Sequence, residues 1–240
     1  MNIVHILVDY DNLRLSDVSE IKSVIDQVIC CLYAGENIQE NDKTEIDVRL
    51  YGGWDELNND DFSNSASRLA QDLTVFLEGN YPQRNLMPNN RIQISLIHSL
   101  AIMPTKFLPF TYRTRQALNR IHVCKPDNEC CEKSKQHLDF FRSVKKHQTC
   151  PYCGRESSIN FWISEQKLVD TMLAMDLSFY ANHDPTALLV IISDDDDFIP
   201  VIFQQICSGK KIFHVQKKPG VCYERYKEIA FTKYYQNIKL

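Results

Sequence analysis

An alternation of short apolar segments with amphipathic segments runs through most of this chain, and it restricts the possible folds more than any other feature. The apolar segments are rich in Val, Ile and Leu, which is typical of strands buried on both faces of a parallel sheet. They cover residues 3–8, 46–51, 92–97, 187–192 and 212–215. Between them, apolar residues recur at helical spacing, as at Val18, Ile21 and Val28. This order predicts an α/β fold in which a mostly parallel sheet lies between two layers of helices.

The strand and helix signals stop after residue 100 and resume near residue 164, so the residues between them form a predicted insertion. Between Lys106 and Lys146 there are ten Lys or Arg and four Asp or Glu residues, a local charge of +6. The whole chain has a net charge of −4, so its other residues carry −10. The predicted domains are a core of residues 1–100 and 164–240 and a basic, cysteine-rich insertion at 101–163.

Composition excludes several classes of protein. Hydrophobic residues make up 44% and charged residues 24%, which is ordinary for a folded, soluble chain and unlike collagen or a disordered protein. No apolar run approaches the roughly 20 residues that span a bilayer, and the N-terminus shows no secretory signal. We therefore expect a cytoplasmic protein without a membrane partner. Its nine cysteines are not expected to form a disulfide framework, because cytosolic thiols are kept reduced.

Acidic residues follow two of the predicted strands, at the point where each strand ends. Asp9 and Asn12 come after the first strand, and Ser193 with four successive aspartates at 194–197 comes after the strand at 187–192. The carboxyl ends of parallel strands meet at one edge of a sheet, so we expect these groups to converge. Crowded carboxylates favour a bound cation, and Mg²⁺ or Mn²⁺ can activate water beside a phosphate. The pattern predicts phosphodiester cleavage.

A third acidic position lies on a predicted helix. Lys167 and Asp170 are one turn apart and share a face, whereas Asp176 lies about 240° round the helix from Asp170 and is not an expected ligand. The alternative for the aspartate run is a solvated turn that caps the next helix through its macrodipole. Asp194 and Asp196 could serve only that purpose.

Three motifs around these acids resemble the NYN domain of the PIN-like ribonuclease superfamily. They are Asp9-x-x-Asn12, Lys167-x-x-Asp170-x-x-Leu173-Ala174-x-Asp176, and Ser193-x-Asp195-x-Asp197-Phe198 with Pro200 two residues on. They occur in the order and secondary-structure context of that family, and the resemblance covers about residues 1–100 and 164–220. It implies a three-layer Rossmann-like (PIN-like) fold and a metal-dependent endoribonuclease that hydrolyses RNA.

The same resemblance implies roles for individual residues. Mg²⁺ or Mn²⁺ would be held by Asp9, Asp170, Asp195 and Asp197. Asn12 and Ser193 would orient ligands or phosphate, and Lys167 would contact the substrate. Asp194 departs from the pattern, because the family usually has a small residue, often Gly, at this position. The additional charge leaves the number of catalytic metals open.

The cysteines of the insertion have the spacing of a zinc site. Cys150 and Cys153 form a Cys-x-x-Cys knuckle followed by Gly, in which two thiolates on a tight turn reach one tetrahedral ion. Their expected partners are Cys124 and Cys130, with Cys131 and His122 as substitutes. A structural zinc would supply folding free energy to a segment with few apolar residues. Free thiols in a loop are the alternative.

The insertion also mixes basic and aromatic side chains. Basic groups neutralise phosphates, and aromatic rings stack on unpaired bases. Arg142, Lys145 and Lys146, near Phe140 and Phe141, are therefore predicted to contact RNA. The alternative is a solvated charged face over a small local core.

Two other functions fit parts of the sequence. Asp9-x-Asp11 after an apolar strand also resembles the first motif of haloacid-dehalogenase-like phosphatases, where Asp9 would be a covalent nucleophile and Asp11 a general acid. That interpretation leaves Lys167 and Asp170 unexplained. The other alternative is an RNA-binding module without catalytic activity.

The remaining polar and aromatic candidates are expected to be structural. Cys30 and Cys31 are predicted to be buried in the middle of a helix, and His5 and His214 to be core histidines whose polar atoms have partners. The tyrosine-rich C-terminal segment is predicted to be a packing helix.

Overall fold

The structure is a computed structural model, and it describes residues 2–13, 17–39, 43–54, 64–78, 90–108, 111–115, 132–146, 149, 154–155, 163–166, 168–218 and 234–240. The chain divides into two compact units, one formed by Met1–Thr111 with Gln166–Leu240 and the other by Tyr112–Glu165. The first unit includes residues 101–111, which the sequence pattern predicts to be part of the insertion. They belong to the first unit because Leu108 packs against its apolar core.

The described strands and helices belong to both units. The described strands are β1 (Asn2–Asp9), β2 (Thr44–Tyr51), β3 (Asn90–Leu96), β4 (Tyr112–Arg115), β5 (Ile163–Gln166), β6 (Leu188–Ile192), β7 (Ile212–Gln216) and β8 (Tyr235–Lys239). The described helices are α1 (Tyr10–Leu13), α2 (Val18–Ala34), α3 (Asn64–Glu78), α4 (Glu132–Lys145), α5 (Val169–His183) and α6 (Ile199–Cys207). A short 3₁₀ turn at Asp196–Phe198 leads into α6.

Six strands of the first unit form one sheet in the order β3-β2-β1-β6-β7-β8, and every neighbouring pair is parallel. Val8 of β1 pairs with Ile192 of β6, and Ile192 pairs with Val215 of β7. The residues that follow these three strands therefore leave the sheet at the same edge. The predicted α/β fold with a parallel sheet is confirmed.

Apolar clusters cover both faces of this sheet. Helices α2 and α3 pack on one face through residues such as Ile25 and Leu69, and α5 and α6 pack on the other through residues such as Leu173 and Ile202. Because helices shield both faces, β1 is buried from Val4 to its last residue, Asp9. The fold thus places an acidic residue in a buried position at the end of a central strand.

The C-terminal segment differs from its prediction. Residues 235–239 form the edge strand β8, parallel to β7, where the tyrosines predicted a packing helix. The edge of β7 offers unpaired backbone groups, and Tyr and Ile favour a pleated, half-buried strand. Tertiary pairing therefore determines the conformation of this segment.

Cys30 also differs from its prediction. It is exposed, and Cys31 is half-buried. The buried stripe of α2 contains Val28, Ile29 and Leu32, and Cys30 lies about 100° to 200° round the helix from these residues. The burial predicted for Cys30 is wrong, because its neighbours along the helix supply the apolar face.

In the second unit the described residues include the two-stranded sheet β4-β5 and the helix α4. The predicted zinc ligands lie outside the described residues, and so do their two substitutes, Cys131 and His122. The predicted ligands are Cys124, Cys130, Cys150 and Cys153. The zinc knuckle therefore stays a prediction. No helix in the described part of either unit is long and apolar enough to span a bilayer.

Candidate active site

The centre of the candidate site is a contact between the ends of two adjacent strands. Asp9 is the last residue of β1, and Ser193 directly follows β6, so the parallel register brings them together. The Ser193 hydroxyl donates a hydrogen bond to Asp9 Oδ2 at 2.7 Å. Asp9 is only 1% exposed, and its second oxygen, Oδ1, is buried and accepts no hydrogen bond from the described residues. One carboxylate oxygen is therefore held by a short hydrogen bond, while the other accepts none from the described residues.

The environment of Asp9 makes its ionisation costly. The pKa of Asp9 is raised from 3.8 to about 6, mainly by burial and in part by the negative charge of Asp170, whereas the hydrogen bond from Ser193 and weaker polar interactions with Asn12 oppose the rise. Asn12 lies on α1, the short helix that begins directly after Asp9. A group with this environment would be stabilised in its charged form by a nearby cation.

Asp170 belongs to the same site electrostatically. It is exposed in the first turn of α5, and its charge raises the pKa of Asp9, so the two carboxylates lie within electrostatic reach. The helix begins directly after Leu168, whose backbone is left-handed with φ of 67°. A non-glycine residue costs about 1 kcal/mol or more in this conformation, and such strain is concentrated at functional positions.

The loop after β6 is organised by its own polar groups. The Asp195 amide donates to Ser193 Oγ at 3.0 Å, and the Asp197 amide donates to Asp195 Oδ1 at 2.9 Å. Asp195 thereby caps the 3₁₀ turn, while Asp197 is exposed. The Ser193 hydroxyl is thus fixed on both sides, as acceptor from Asp195 and as donor to Asp9.

The predicted metal ligands are only partly brought together. Among the residues that the structure describes, no group of three or more His, Cys, Asp or Glu side chains is arranged to hold a metal ion. The interaction of Asp9 with Asp170 and the uncompensated Oδ1 of Asp9 fit a cation-binding carboxylate. The four-aspartate site for Mg²⁺ or Mn²⁺ stays a prediction.

Asp194 has a role that the sequence did not reveal. Its Oδ1 accepts hydrogen bonds from the backbone amides of Lys217, at 2.7 Å, and Lys218, at 3.0 Å. These two lysines follow β7, so Asp194 ties the loop after β6 to the loop after β7. The Asp194 carboxylate thus accepts hydrogen bonds from two backbone amides and is not simply a solvated negative charge.

A second chain of hydrogen bonds approaches Ser193 from the sheet. His214 of β7 is fully buried, and its Nε2 lies 3.0 Å from the Ser193 carbonyl oxygen. A carbonyl can only accept, so Nε2 carries the proton and Nδ1 accepts from the Tyr235 hydroxyl at 2.9 Å. Burial lowers the pKa of His214 from 6.5 to about 4, so the ring is neutral near pH 7. The expectation of a core histidine with satisfied polar atoms agrees with these contacts.

Asp176 is buried in a structural network and does not face the site. Its Oδ2 accepts from the Tyr51 hydroxyl at 2.7 Å and from Arg49 at 3.2 Å, and its Oδ1 accepts from the Ala101 amide at 2.8 Å. The charge of this network is balanced, because Arg49 is the positive partner of Asp176. This agrees with the expectation that Asp176 is not a ligand.

The predicted substrate-binding residues are only partly described. Lys167 lies outside the described residues. Arg142 of α4 pairs with Asp139 at 3.0 Å, and Lys146 is exposed just after this helix. Lys145 is the last residue of α4, and its side chain is not described.

Sequence reasoning missed Lys217, Lys218 and the role of His214. The sequence did contain a signal for the two lysines, because Lys217 and Lys218 follow a predicted parallel strand at 212–215 and must leave the sheet at the same edge as Ser193.

No family model, curated protein or solved structure matches this chain. The NYN resemblance thus depends on the motifs around Asp9 and Asp170 and on the loop after β6.

Proposed function

We propose that the protein is a metal-dependent endoribonuclease that hydrolyses RNA phosphodiester bonds at the Asp9 site. The observation that supports this most strongly is the buried carboxylate of Asp9, with Oδ2 held by Ser193 and Oδ1 without a donor among the described residues. A buried charge without a partner is costly, and such groups are concentrated at functional sites.

A divalent cation fits this carboxylate. Asp9 and Asp170 would hold it, and Asp195 and Asp197, which follow the neighbouring strand, would complete the set of oxygen ligands that Mg²⁺ and Mn²⁺ prefer. When bound, the ion supplies a water of lowered pKa and stabilises negative charge on the leaving oxygen.

The protein's own groups prepare this site. Ser193 holds the Asp9 carboxylate in one orientation, and the Asp195 amide fixes Ser193 in turn. His214 Nε2 donates a hydrogen bond to the Ser193 carbonyl oxygen and so holds the backbone of the same residue. Residues that orient a metal ligand in this way typically contribute 10- to 100-fold to metal affinity or activity.

RNA is the substrate that the motif resemblance implies, and the charge distribution supports it. The basic segment between Lys106 and Lys146 would neutralise phosphates. A structural zinc on Cys124, Cys130, Cys150 and Cys153 would stabilise this insertion without taking part in the chemistry, because four thiolates leave no open position.

The test is a cleavage assay with end-labelled single-stranded RNA and Mn²⁺, in parallel with a phosphomonoester substrate. We expect the wild type to cut RNA internally, and Asp9→Asn to abolish cleavage while it still binds RNA in buffer without added divalent metal. Binding should survive because affinity comes mainly from Lys and Arg.

Asp11→Asn is the matched control. Asp11 is two residues from Asp9, and its carboxylate accepts a hydrogen bond from the Gly53 amide at 2.7 Å, a contact that the Asn side-chain oxygen can keep. The nuclease proposal expects this variant to cleave RNA like the wild type. A phosphatase would instead form a phospho-enzyme, prefer the monoester and lose activity in both variants; a binding module would cleave neither substrate.

A further inference from the structure

Two consecutive lysines, Lys217 and Lys218, leave the sheet at the edge that carries the candidate active site. They follow β7, and the Ser193 amide donates to the carbonyl of Val215 on this strand at 3.1 Å. Their backbone is held by one carboxylate, because Asp194 Oδ1 accepts from both amides at 2.7 and 3.0 Å. We call these two residues the lysine pair.

The side chain of Lys217 extends toward the helix that follows Asp9. Its ammonium group donates to the carbonyl of Leu13, the last residue of α1, at 3.1 Å. An ammonium group has three donor hydrogens, so this contact leaves capacity for an anionic ligand. Lys217 is half-buried and Lys218 is exposed. The lysine pair thus brings two positive charges to the rim of a site where Asp9, Asp170 and the aspartates after β6 are the other charges among the described residues.

An acidic site of this kind repels a polyanion unless cations accompany it. Asp9, Asp170 and the run at 194–197 lie on or near this edge of the sheet, and RNA carries one negative charge per nucleotide. A cation held on the rim can receive a phosphate while the carboxylates hold the metal. The rigid attachment through Asp194 lowers the entropy that ordering a loop on binding would cost.

We propose that the lysine pair binds backbone phosphates of the RNA strand beside the scissile bond, and that Asp194 is the positioning residue that presents it. This rests on the proposed function of the Asp9 site. It also gives a reason for a side chain with an acceptor oxygen at position 194, where the resembling family usually has a small residue, because that oxygen holds both lysine amides.

The test measures binding of a fluorescein-labelled single-stranded RNA over a range of salt concentrations, in buffer without added Mg²⁺ or Mn²⁺ and without a chelator that would remove the proposed zinc. We expect the double variant Lys217→Ala/Lys218→Ala to bind more weakly. The slope of log K against log salt concentration should become shallower by about 1.4, at about 0.7 per phosphate contact on a single strand.

The matched control is Lys210→Ala/Lys211→Ala. These two lysines are also consecutive and precede the same strand, so they lie at the opposite edge of the sheet. Lys211 is anchored as Lys217 is, because its ammonium group donates to Asn37 Oδ1 at 2.6 Å. The control removes the same charge from the protein, and we expect it to leave the salt slope at the wild-type value.

Variants of Asp194 distinguish a positioning role from a purely electrostatic effect of its charge on RNA binding. Removing a negative charge near bound RNA would by electrostatics alone tighten binding. If Asp194 presents the lysine pair, Asp194→Ala weakens binding instead, and Asp194→Asn, which keeps an acceptor oxygen, binds almost as the wild type does. In the Lys217→Ala/Lys218→Ala background, Asp194→Ala should no longer weaken binding, because the lysine side chains that it positions are already absent.

The outcomes distinguish this inference from the proposed function. A lysine-pair variant with the wild-type salt slope, or an Asp194→Ala variant that binds more tightly, overturns the inference even if RNA is cleaved. If binding depends on the lysine pair but Mn²⁺ never produces cleavage, the phosphate-binding site stands and the nuclease proposal fails. A wild type that binds no RNA overturns both.

Discussion

The hydroxyl of Ser193 donates a 2.7 Å hydrogen bond to Asp9 Oδ2, although the two residues lie 184 positions apart in the sequence. The contact exists because β1 and β6 are parallel neighbours that end at the same level of the sheet. It opposes the effect of burial on the pKa of Asp9, which nevertheless rises to about 6. The protein therefore retains a buried carboxylate at a cost in stability, which is typical of functional positions.

Asp9→Asn should stabilise the metal-free protein near neutral pH. The pKa of Asp9 rises from 3.8 to about 6 on folding, so its ionisation destabilises the fold by about 3 kcal/mol above pH 6. Asn has no charge and can still accept from Ser193. We expect a higher free energy of unfolding for the variant at about pH 7.5 in EDTA, measured by denaturant titration.

The stability gained by Asp9→Asn should depend on pH. A raised carboxyl pKa stabilises the fold below 3.8 and loses this effect as the pH rises through about 6. The advantage of Asp9→Asn should therefore shrink as the solution is acidified. A variant that is less stable than the wild type at every pH would contradict the assignment of a costly carboxylate.

His214 should make the protein sensitive to acid. Its pKa is lowered from 6.5 to about 4 by burial, so the unfolded chain binds a proton in this interval and the folded chain does not. The resulting stability is present above about pH 6.5 and is lost as the pH falls toward 4, by on the order of 3 kcal/mol. The stability difference between the wild type and His214→Gln should narrow over this interval. A constant difference would show that the ring is not held neutral.

Asp176→Ala should destabilise the fold without a direct effect on the site. It removes the closer ion-pair partner of the half-buried Arg49, which then keeps only Asp47 at 3.9 Å, and it removes the acceptor of Tyr51 and Ala101. Loss of one member of a buried pair costs about 3–5 kcal/mol. Asp26→Ala is the control, because the Lys22–Asp26 pair lies on the surface of α2 and should contribute less than about 0.5 kcal/mol.

The conservative variant Asp176→Asn tests whether Asp176 has a structural role or a catalytic one. We expect it to cleave RNA at a temperature where it remains folded, because the Asp176 carboxylate contacts Arg49 and Tyr51 rather than Asp9. A folded Asp176→Asn protein without cleavage activity would mean that Asp176 belongs to the catalytic site.

Zinc analysis tests the cysteine insertion. Protein purified without added metal should contain about one zinc per chain, as one four-ligand site requires. Cys124, Cys130, Cys150 and Cys153 should be protected from a thiol reagent, whereas Cys30 and Cys207, which are exposed, should react. Protein that lacks zinc and reacts at all nine cysteines would eliminate the zinc site.

Neutralising Arg142, Lys145 and Lys146 together tests the basic insertion. We expect weaker binding of single-stranded RNA and a salt slope shallower by about 2, at about 0.7 per phosphate contact. Arg68→Ala, which removes a cation that is 85% exposed on α3, is the control and should not change the slope. A triple variant that binds like the wild type at several salt concentrations would exclude this segment as an RNA contact.

The general fold was predictable because periodicity is a local property. The apolar segments at 3–8 and 187–192 predicted buried parallel strands, and the structure pairs them as neighbours. Parallel strands end at one edge, so the approach of Ser193 to Asp9 followed from their positions after these strands. The spacing of six residues along one helix likewise predicted that Asp176 and Asp170 point in different directions.

The side-chain partners were decided only by the tertiary structure. Asp194 holds two amides 23 and 24 positions away, and Asp176 binds Tyr51 from 125 positions away. Strand β8 forms because β7 offers an open edge, although Tyr234 and Tyr235 were predicted to belong to a helix. The sequence by itself determined which residues are buried strands and which acids follow them, because these depend on local periodicity. Which hydrogen-bond donor each acidic side chain contacts depends on the pairing of distant segments. The local sequence does not specify that pairing.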